Sequence, residues 1–135
     1  MRIPFYIFCM AVFTTNLQAD LSIVDLKQEY SANESIKILI RNNLQDSVYY
    51  YVSIESQIDD DWRELSYDIT FSNSKSVRIH SLKQNESKEV IVDLKKMPSQ
   101  LRNIRNKNYR LIVYYSISQT GNFKTIHSNL FTINK

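Results

Sequence analysis

Short runs in which hydrophobic and polar residues alternate cover most of the chain beyond residue 20. Ile36, Ile38 and Ile40, for example, are separated by polar or charged residues. Alternation with a period of two is typical of a β-strand with one buried face. On this criterion, and on the enrichment of β-branched and aromatic residues, we predict strands or extended segments at 21–26, 35–41, 48–55, 62–65, 69–71, 76–80, 86–94, 109–118 and 124–133.

The predicted strands are short, and the segments at 69–71 and 76–80 are the weakest of them. They recur at intervals of roughly 8–12 residues, without the long crossover helices of a parallel sheet. The sequence therefore predicts an all-β fold, an antiparallel β-sandwich of seven or eight strands. The one long connection, residues 95–108, contains Pro98 and could form a single helical turn over the core.

The tyrosines are divided between the two faces of the predicted strands. Alternation directs Tyr50, Tyr109 and Tyr115 into the core, where we expect Trp62 beside them, and it assigns Ile117 to the same inner face. The same alternation directs other aromatic and apolar residues outward.

The first 19 residues differ from the rest of the chain. A positive start at Arg2 precedes an uncharged apolar run over residues 3–13 and a polar stretch that ends in a small residue, Ala19. This is the three-part layout of a secretory signal, and the run is shorter than the roughly 20 residues that span a bilayer. We predict a signal peptide, residues 1–19, cleaved from a mature domain, residues 20–135.

This prediction implies an exported protein, periplasmic or secreted, without a transmembrane segment after processing. Cys9 is the only cysteine and lies within the apolar run, so the mature domain would contain no thiol. Disulfides and thiolate metal sites are then excluded, and the domain must be held together by packing.

Charge is unevenly distributed along the chain. Residues 20–93 contain all fourteen acidic residues and eight Lys or Arg, a net charge of −6 (8 − 14), whereas residues 94–135 contain eight Lys or Arg and no acid. A secondary basic surface could hold an anionic envelope surface, and it is formed by Lys95, Lys96, Arg102, Arg105 and Lys107. We expect instead that acidic residues at the same end of the sandwich neutralise it, and we expect no nucleic-acid partner.

Several segments are similar to those of a known family, the bacterial immunoglobulin-like domains of exported and envelope proteins. The resemblance is carried by Leu26-Lys27-Gln28-Glu29-Tyr30, Glu34-Ser35-Ile36-Lys37-Ile38, Arg41-Asn42-Asn43, Tyr50 to Glu55, Trp62-Arg63-Glu64-Leu65, Leu82 to Ser87, Glu89 to Leu94 and Tyr109-Arg110-Leu111. Two positions depart from the family pattern: Gln84-Asn85 replaces a common Pro-Gly, and Asn108 replaces a glycine. The resemblance implies an immunoglobulin-like sandwich that serves as an accessory or interaction module, and it implies no catalytic residue.

The residues themselves offer little chemistry. His80 and His127 have no nucleophile turn or glycine-rich segment near them in sequence, so we expect no enzyme and no catalytic residue. Three consecutive carboxylates at positions 59–61 resemble half a calcium site, but a solvated turn explains them equally well, and we predict no metal and no cofactor.

A binding role is predicted for the outward residues of two strong strands, which are Tyr49, Tyr51, Ile112 and Tyr114. If the two strands are neighbours, these side chains share one exposed face, and they form either a contact surface or a stabilising cross-strand cluster. The expected partner is another envelope or extracellular protein. Pairing through a free sheet edge could instead give a homodimer. The alternative function is a secreted proteinase inhibitor that acts through end loops near residues 42–47 and 119–122.

Overall fold

The computed structural model describes residues 19–64, 79–94 and 108–134. Within these ranges the chain forms two β-sheets that pack into a sandwich, which confirms the predicted all-β class. The strands are β1 Leu21–Val24, β2 Glu29–Ser31, β3 Ser35–Asn42, β4 Val48–Ile58, β5 Asp61–Glu64, β6 His80–Leu82, β7 Ser87–Asp93, β8 Asn108–Ser116, β9 Lys124–His127 and β10 Phe131–Asn134.

The smaller sheet has three antiparallel strands in the order β1-β3-β7. In β3, Ile36, Ile38 and Ile40 point inward and are at most 1% exposed. Opposite them on β7, Val90 and Val92 also point inward. The period-two pattern of the sequence thus directly sets which face of this sheet meets the core.

The larger sheet has seven strands among the described residues. Its main path runs β2-β10-β8-β4-β5, while β6 also pairs with β4 and β9 also pairs with β8. The pairings are antiparallel except that of β2 with β10, which is parallel. One parallel pair is therefore a correction to the purely antiparallel sandwich expected from the sequence.

The core lies between the two sheets. The predicted inward tyrosines Tyr50, Tyr109 and Tyr115 are 2%, 3% and 6% exposed, and Tyr109 stacks on Phe131 with ring centroids 5.9 Å apart. Burial of one such large side chain stabilises the fold by roughly 1.5–3 kcal/mol. Packing of this kind is the source of stability in a domain without disulfides.

The structure has ten described strands rather than seven or eight because both ends of the chain are broken. Asp25 adopts a left-handed conformation (φ 68°) between β1 and β2, and these two strands join different sheets. The last predicted strand is interrupted by residues 128–130, which separate β9 from β10. Ile117 was expected in the core, but β8 ends at Ser116 and Ile117 lies in the following turn, 60% exposed.

Several predictions fall outside the described residues. They are the strand at 69–71, all but the last two residues of the strand at 76–80, the turn at Pro98, and all but the last residue of the signal peptide. Over the ranges that the structure does describe, there is no helix long and apolar enough to cross a membrane.

Candidate functional site

The outward residues predicted on two strands do share one face of the larger sheet. β4 and β8 are antiparallel neighbours, with Tyr51 opposite Tyr114, Tyr49 opposite Ser116 and Ile112 opposite Ser53. The adjacency and the shared face were predicted from alternation alone, and both are confirmed.

Stacking fixes the rings on this face. Tyr51 and Tyr114 lie nearly parallel, with centroids 4.5 Å apart and planes 12° from each other. Phe123, which immediately precedes β9, contacts Tyr51 with centroids 5.5 Å apart. Stacked aromatic pairs across a sheet contribute about 0.5–1.5 kcal/mol beyond the area they bury, so these rings stabilise the sheet as well as forming its surface.

Trp62 belongs to this outer face and not to the core, which corrects the expectation from the sequence. β5 pairs with β4 so that Trp62 lies opposite Gln57, a residue of the same parity as the outward tyrosines. The guanidinium carbon of Arg110 lies 4.1 Å from the centroid of the Trp62 ring, and Arg110 Nε donates to Glu55 Oε2 at 2.5 Å. A charged pair therefore holds a cation–π contact in place.

We call this surface the aromatic face; its aromatic residues are Tyr49, Tyr51, Trp62, Tyr114 and Phe123. Sequence reasoning missed Trp62 and Phe123, together with the charged residues that fix the rings. The missing signal was the length of the hairpin turn before β5, since a two-residue turn fixes which residues lie opposite each other.

One hydrogen bond crosses the centre of the aromatic face. Tyr114 on β8 donates its hydroxyl to Glu64 Oε2 on β5 at 2.5 Å, so its side chain reaches over β4, which lies between these strands. Ser53 and Ile112 form the row beneath this path and are 3% and 2% exposed. Ile112 was expected to be an exposed contact residue; it points outward but is buried, which is a correction.

The tyrosine hydroxyls of the aromatic face stay protonated at neutral pH. Burial, followed by the charge of Glu64, raises the pKa of Tyr51. Burial also raises the pKa of Tyr114, and the hydrogen bond to Glu64 raises it further. These groups can donate hydrogen bonds to a ligand, but they are poor bases.

The loops named for the alternative function meet at one end of the sandwich. The start of β4 pairs with the end of β8, so the β3–β4 and β8–β9 connections are neighbours. Asn42 is fully buried and organises the first of them. Its amide nitrogen donates to the carbonyls of Asp46 (2.7 Å) and Leu82 (3.1 Å), and its side-chain oxygen accepts from the Leu44 N–H (2.9 Å).

The three consecutive aspartates form a tight hairpin. Ile58 pairs with Asp61, and Asp59 and Asp60 between them both have positive φ, 49° and 67°. This is the backbone of a two-residue type I′ turn, in which Asp and Asn are common because they tolerate the left-handed region. No group of three or more metal-binding side chains occurs within the described ranges.

The two histidines are on opposite sides of the β4–β8 pair. His80 on β6 packs on the Tyr50 ring, with centroids 5.3 Å apart, whereas His127 on β9 lies opposite Ile112. Three strand spacings of about 4.8 Å separate their strands, or roughly 14 Å. The structure therefore does not bring them together in one site.

The predicted secondary basic surface, Lys95, Lys96, Arg102, Arg105 and Lys107, lies outside the described residues. Asn108, which follows it, donates to Gln57 Oε1 at 3.1 Å, near the aspartate hairpin. Neutralisation between the two charged segments stays a prediction.

No protein-family model matches the sequence, and no curated protein matches it. The fold is similar to a chain in the crystal structure of the CsuC–CsuE chaperone–tip adhesion subunit pre-assembly complex from archaic chaperone–usher Csu pili of Acinetobacter baumannii. The TM-score is 0.50 at 13% identity, over 87% of this chain and 58% of that chain. Spo0M, a sporulation control protein from Bacillus subtilis, gives a TM-score of 0.44 at 10% identity, over 86% of this chain and 49% of that one.

This chain therefore spans less than two thirds of the length of those solved chains. At such low identity, the likeness to the pilus complex concerns the fold alone, and it supports the β-sandwich.

Proposed function

We propose that this chain is an exported, non-enzymatic protein-binding or accessory module of the cell envelope, and that it binds its partner through the aromatic face. The observation that supports this most strongly is the composition of that face. Tyrosine, tryptophan and arginine are the residue types most enriched among binding hot spots, and Tyr49, Trp62 and Arg110 are all partly exposed there.

Preorganisation is the second argument for a binding role. The Tyr51–Tyr114 stack and the Arg110–Glu55 ion pair restrict these side chains before any partner arrives. Immobilising one flexible side chain on binding costs about 0.5–1.5 kcal/mol, and a face that is already ordered avoids much of that cost.

The envelope location has two supports. One is the signal-peptide pattern of the sequence, which carries the export proposal. The other is the similar fold of a chain in a chaperone–tip adhesion subunit pre-assembly complex, which agrees with an accessory role in assembling other proteins. The bacterial immunoglobulin-like family named from the sequence belongs to this proposal as well.

The test is affinity capture from a cell-envelope extract with two variants. Tyr49→Ser/Trp62→Ser removes two aromatic side chains and leaves the Tyr51–Tyr114 stack, and the matched control Ile117→Ser removes an exposed side chain off the face. Far-UV circular dichroism first establishes that both variants fold. We expect one protein to be retained by the wild type and the control and lost from the double variant. Retention by all three would move the binding site away from the aromatic face.

A secreted proteinase inhibitor is the second candidate, because the two connections it would use lie at the same end of the sandwich. The buried Asn42 side chain holds the β3–β4 connection rigid, as a loop that enters a protease cleft requires. A panel of purified proteases tests this candidate. Inhibition that Gln119→Ala/Asn122→Ala abolishes would favour it over the aromatic face.

A further inference from the structure

The outer edge of β7 is the feature that no function above uses. Within the described residues β7 pairs with β3 alone and ends the smaller sheet. Glu89 and Ile91 point to the outer face, and Ile91 is 45% exposed. An edge strand presents unpaired N–H and C=O groups that an extended segment of another protein can bind.

An apolar cavity lies along this edge, between the two sheets. Its volume is about 330 Å³, and its described lining includes Tyr50 and Val52 of β4 and Val90 of β7. That volume is at the lower end of the range for small-molecule pockets, roughly 300–1,000 Å³. A strand added beside β7 would direct the residue opposite Val90 into this space, because residues that face each other across a pair point to the same side.

Lys88 closes one end of the edge. Its position opposite Ile40 directs the side chain toward the core, and its ammonium reaches the rim of the sandwich, where it donates to the Ser81 carbonyl at 2.6 Å. An inward-pointing charge on an edge strand discourages uncontrolled pairing. The segment free to accept a partner is therefore residues 89–93.

A second copy of this chain is a poor occupant. Antiparallel pairing of two β7 strands about a two-fold axis keeps residues of equal parity opposite each other. One register sets Lys88 against Val92 on the inner side, and it does so twice by symmetry. The next register sets Glu89 against Asp93, again twice, and like charges directly opposite are destabilising.

We propose that residues 89–93 of β7 accept an extended segment from a partner protein, in which basic residues flank an alternating apolar core. A lysine or arginine opposite Glu89 forms an opposite-charge pair on the outer face. An apolar residue opposite Ile91 covers its exposed surface, and large apolar residues opposite Val90 and Val92 point inward, toward the cavity. Backbone hydrogen bonds supply affinity, and the cavity and Glu89 supply selectivity.

This edge belongs to the smaller sheet and the aromatic face to the larger one, so neither proposal depends on the other. A partner captured through the aromatic face would leave the edge untested, and peptide binding at the edge would leave the aromatic face untested. The edge therefore needs its own experiment.

The probe is a fluorescein-labelled peptide, Thr-Lys-Leu-Val-Leu-Lys-Thr, titrated with the purified protein by fluorescence anisotropy. Its core is palindromic, so it fits in parallel and antiparallel directions alike. We expect binding that weakens with salt, and binding about fivefold weaker for the peptide with both lysines replaced by glutamate.

Glu89→Lys provides the matched reversal. Glu89 is exposed and its substitution leaves the core intact, so the variant should fold, and its preference should switch to the glutamate peptide. The control is Glu29→Lys, which makes the same charge change at an exposed position on β2 of the other sheet. The control should bind the lysine peptide as tightly as the wild type does.

Two further peptides, N-methylated at odd or at even positions, test the backbone contacts. Only one set of N–H groups can point at β7, so one peptide should lose affinity and the other should keep it. Amide hydrogen exchange should slow at alternate residues of β7 when the lysine peptide binds.

Absence of binding at about 1 mM protein, equal binding of the lysine and glutamate peptides, or unchanged exchange in β7 would each overturn the proposal. None of these results would alter the capture experiment on the aromatic face.

Discussion

Replacing Asn42 with alanine removes a side chain whose three hydrogen bonds join separate parts of the loop end. The amide donates to the Asp46 and Leu82 carbonyls and accepts from the Leu44 N–H, and Asn42 is 0% exposed. Each bond contributes about 1 kcal/mol net, and buried groups left without partners add to the loss. We expect Asn42→Ala to lower the free energy of unfolding by about 3 kcal/mol.

Such a loss is a large share of the roughly 5–15 kcal/mol that stabilises a typical domain. For a domain of about 115 residues it lowers Tm by around 12 °C. Urea denaturation followed by Trp62 fluorescence, since Trp62 is the only tryptophan, and by far-UV circular dichroism measures it. Coincident transitions from the two probes would justify a two-state analysis.

Two variants sharpen the comparison with Asn42→Ala. Asn33→Ala changes the same residue type at an exposed position in a turn and should stay within about 0.5 kcal/mol of the wild type. Asn42→Asp keeps the acceptor but sets a carboxylate against two carbonyl oxygens, so it should be at least as destabilising as alanine. If Asn42→Ala unfolds within about 1 kcal/mol of the wild type, the side chain does not hold this end of the sandwich together.

Three further outcomes follow from the backbone and the buried hydroxyls. Asn85 has φ 57°, so Asn85→Ala should cost about 1 kcal/mol in urea denaturation, whereas Asn85→Gly should be neutral within a few tenths. Asp60→Gly, at φ 67° in the type I′ turn, should raise the unfolding free energy by about 0.5–1 kcal/mol, and a loss of stability there would contradict the turn assignment. Burial, together with the hydrogen bond to Asp20, raises the pKa of Tyr115 to about 12. Because the folded state then favours the protonated hydroxyl, this stabilisation is complete below about pH 10 and is lost between about pH 10 and 12. Tyr115→Phe should show a shallower decline across that window in thermal melts; an identical decline would remove Tyr115 as its source.

Alternation predicted the faces of the central strands correctly because both are regular and long enough to show the period. It placed Tyr51 and Tyr114 on one side and Tyr50 and Tyr115 on the other, as the structure shows. Alternation specifies the face a residue points to but not what covers it. Ile112 was therefore expected at the surface, although the Tyr114 side chain reaches across its row.

Errors arose where a turn decides the register. Trp62 was assigned to the core because hydrophobicity was weighed without the turn that precedes it, and the two-residue hairpin at Asp59 and Asp60 reverses that assignment. The break at Asp25 was invisible for a related reason, since nothing in its neighbours requires a left-handed conformation. The Gln84-Asn85 departure from the family pattern proved benign, because Asn85 adopts the positive φ that glycine would provide.

The parallel pairing of β2 with β10 has a consequence for how the chain folds. Glu29 and Thr132 lie opposite each other although they are about 100 positions apart, and β10 is the only strand that links β2 to the larger sheet. The native sheet can thus be completed only when the final strand is available. Such non-local contacts slow folding to the range of about milliseconds to seconds. A chain still emerging from a ribosome would lack this strand and remain unfolded, which is the state in which a polypeptide can be threaded through a narrow export channel.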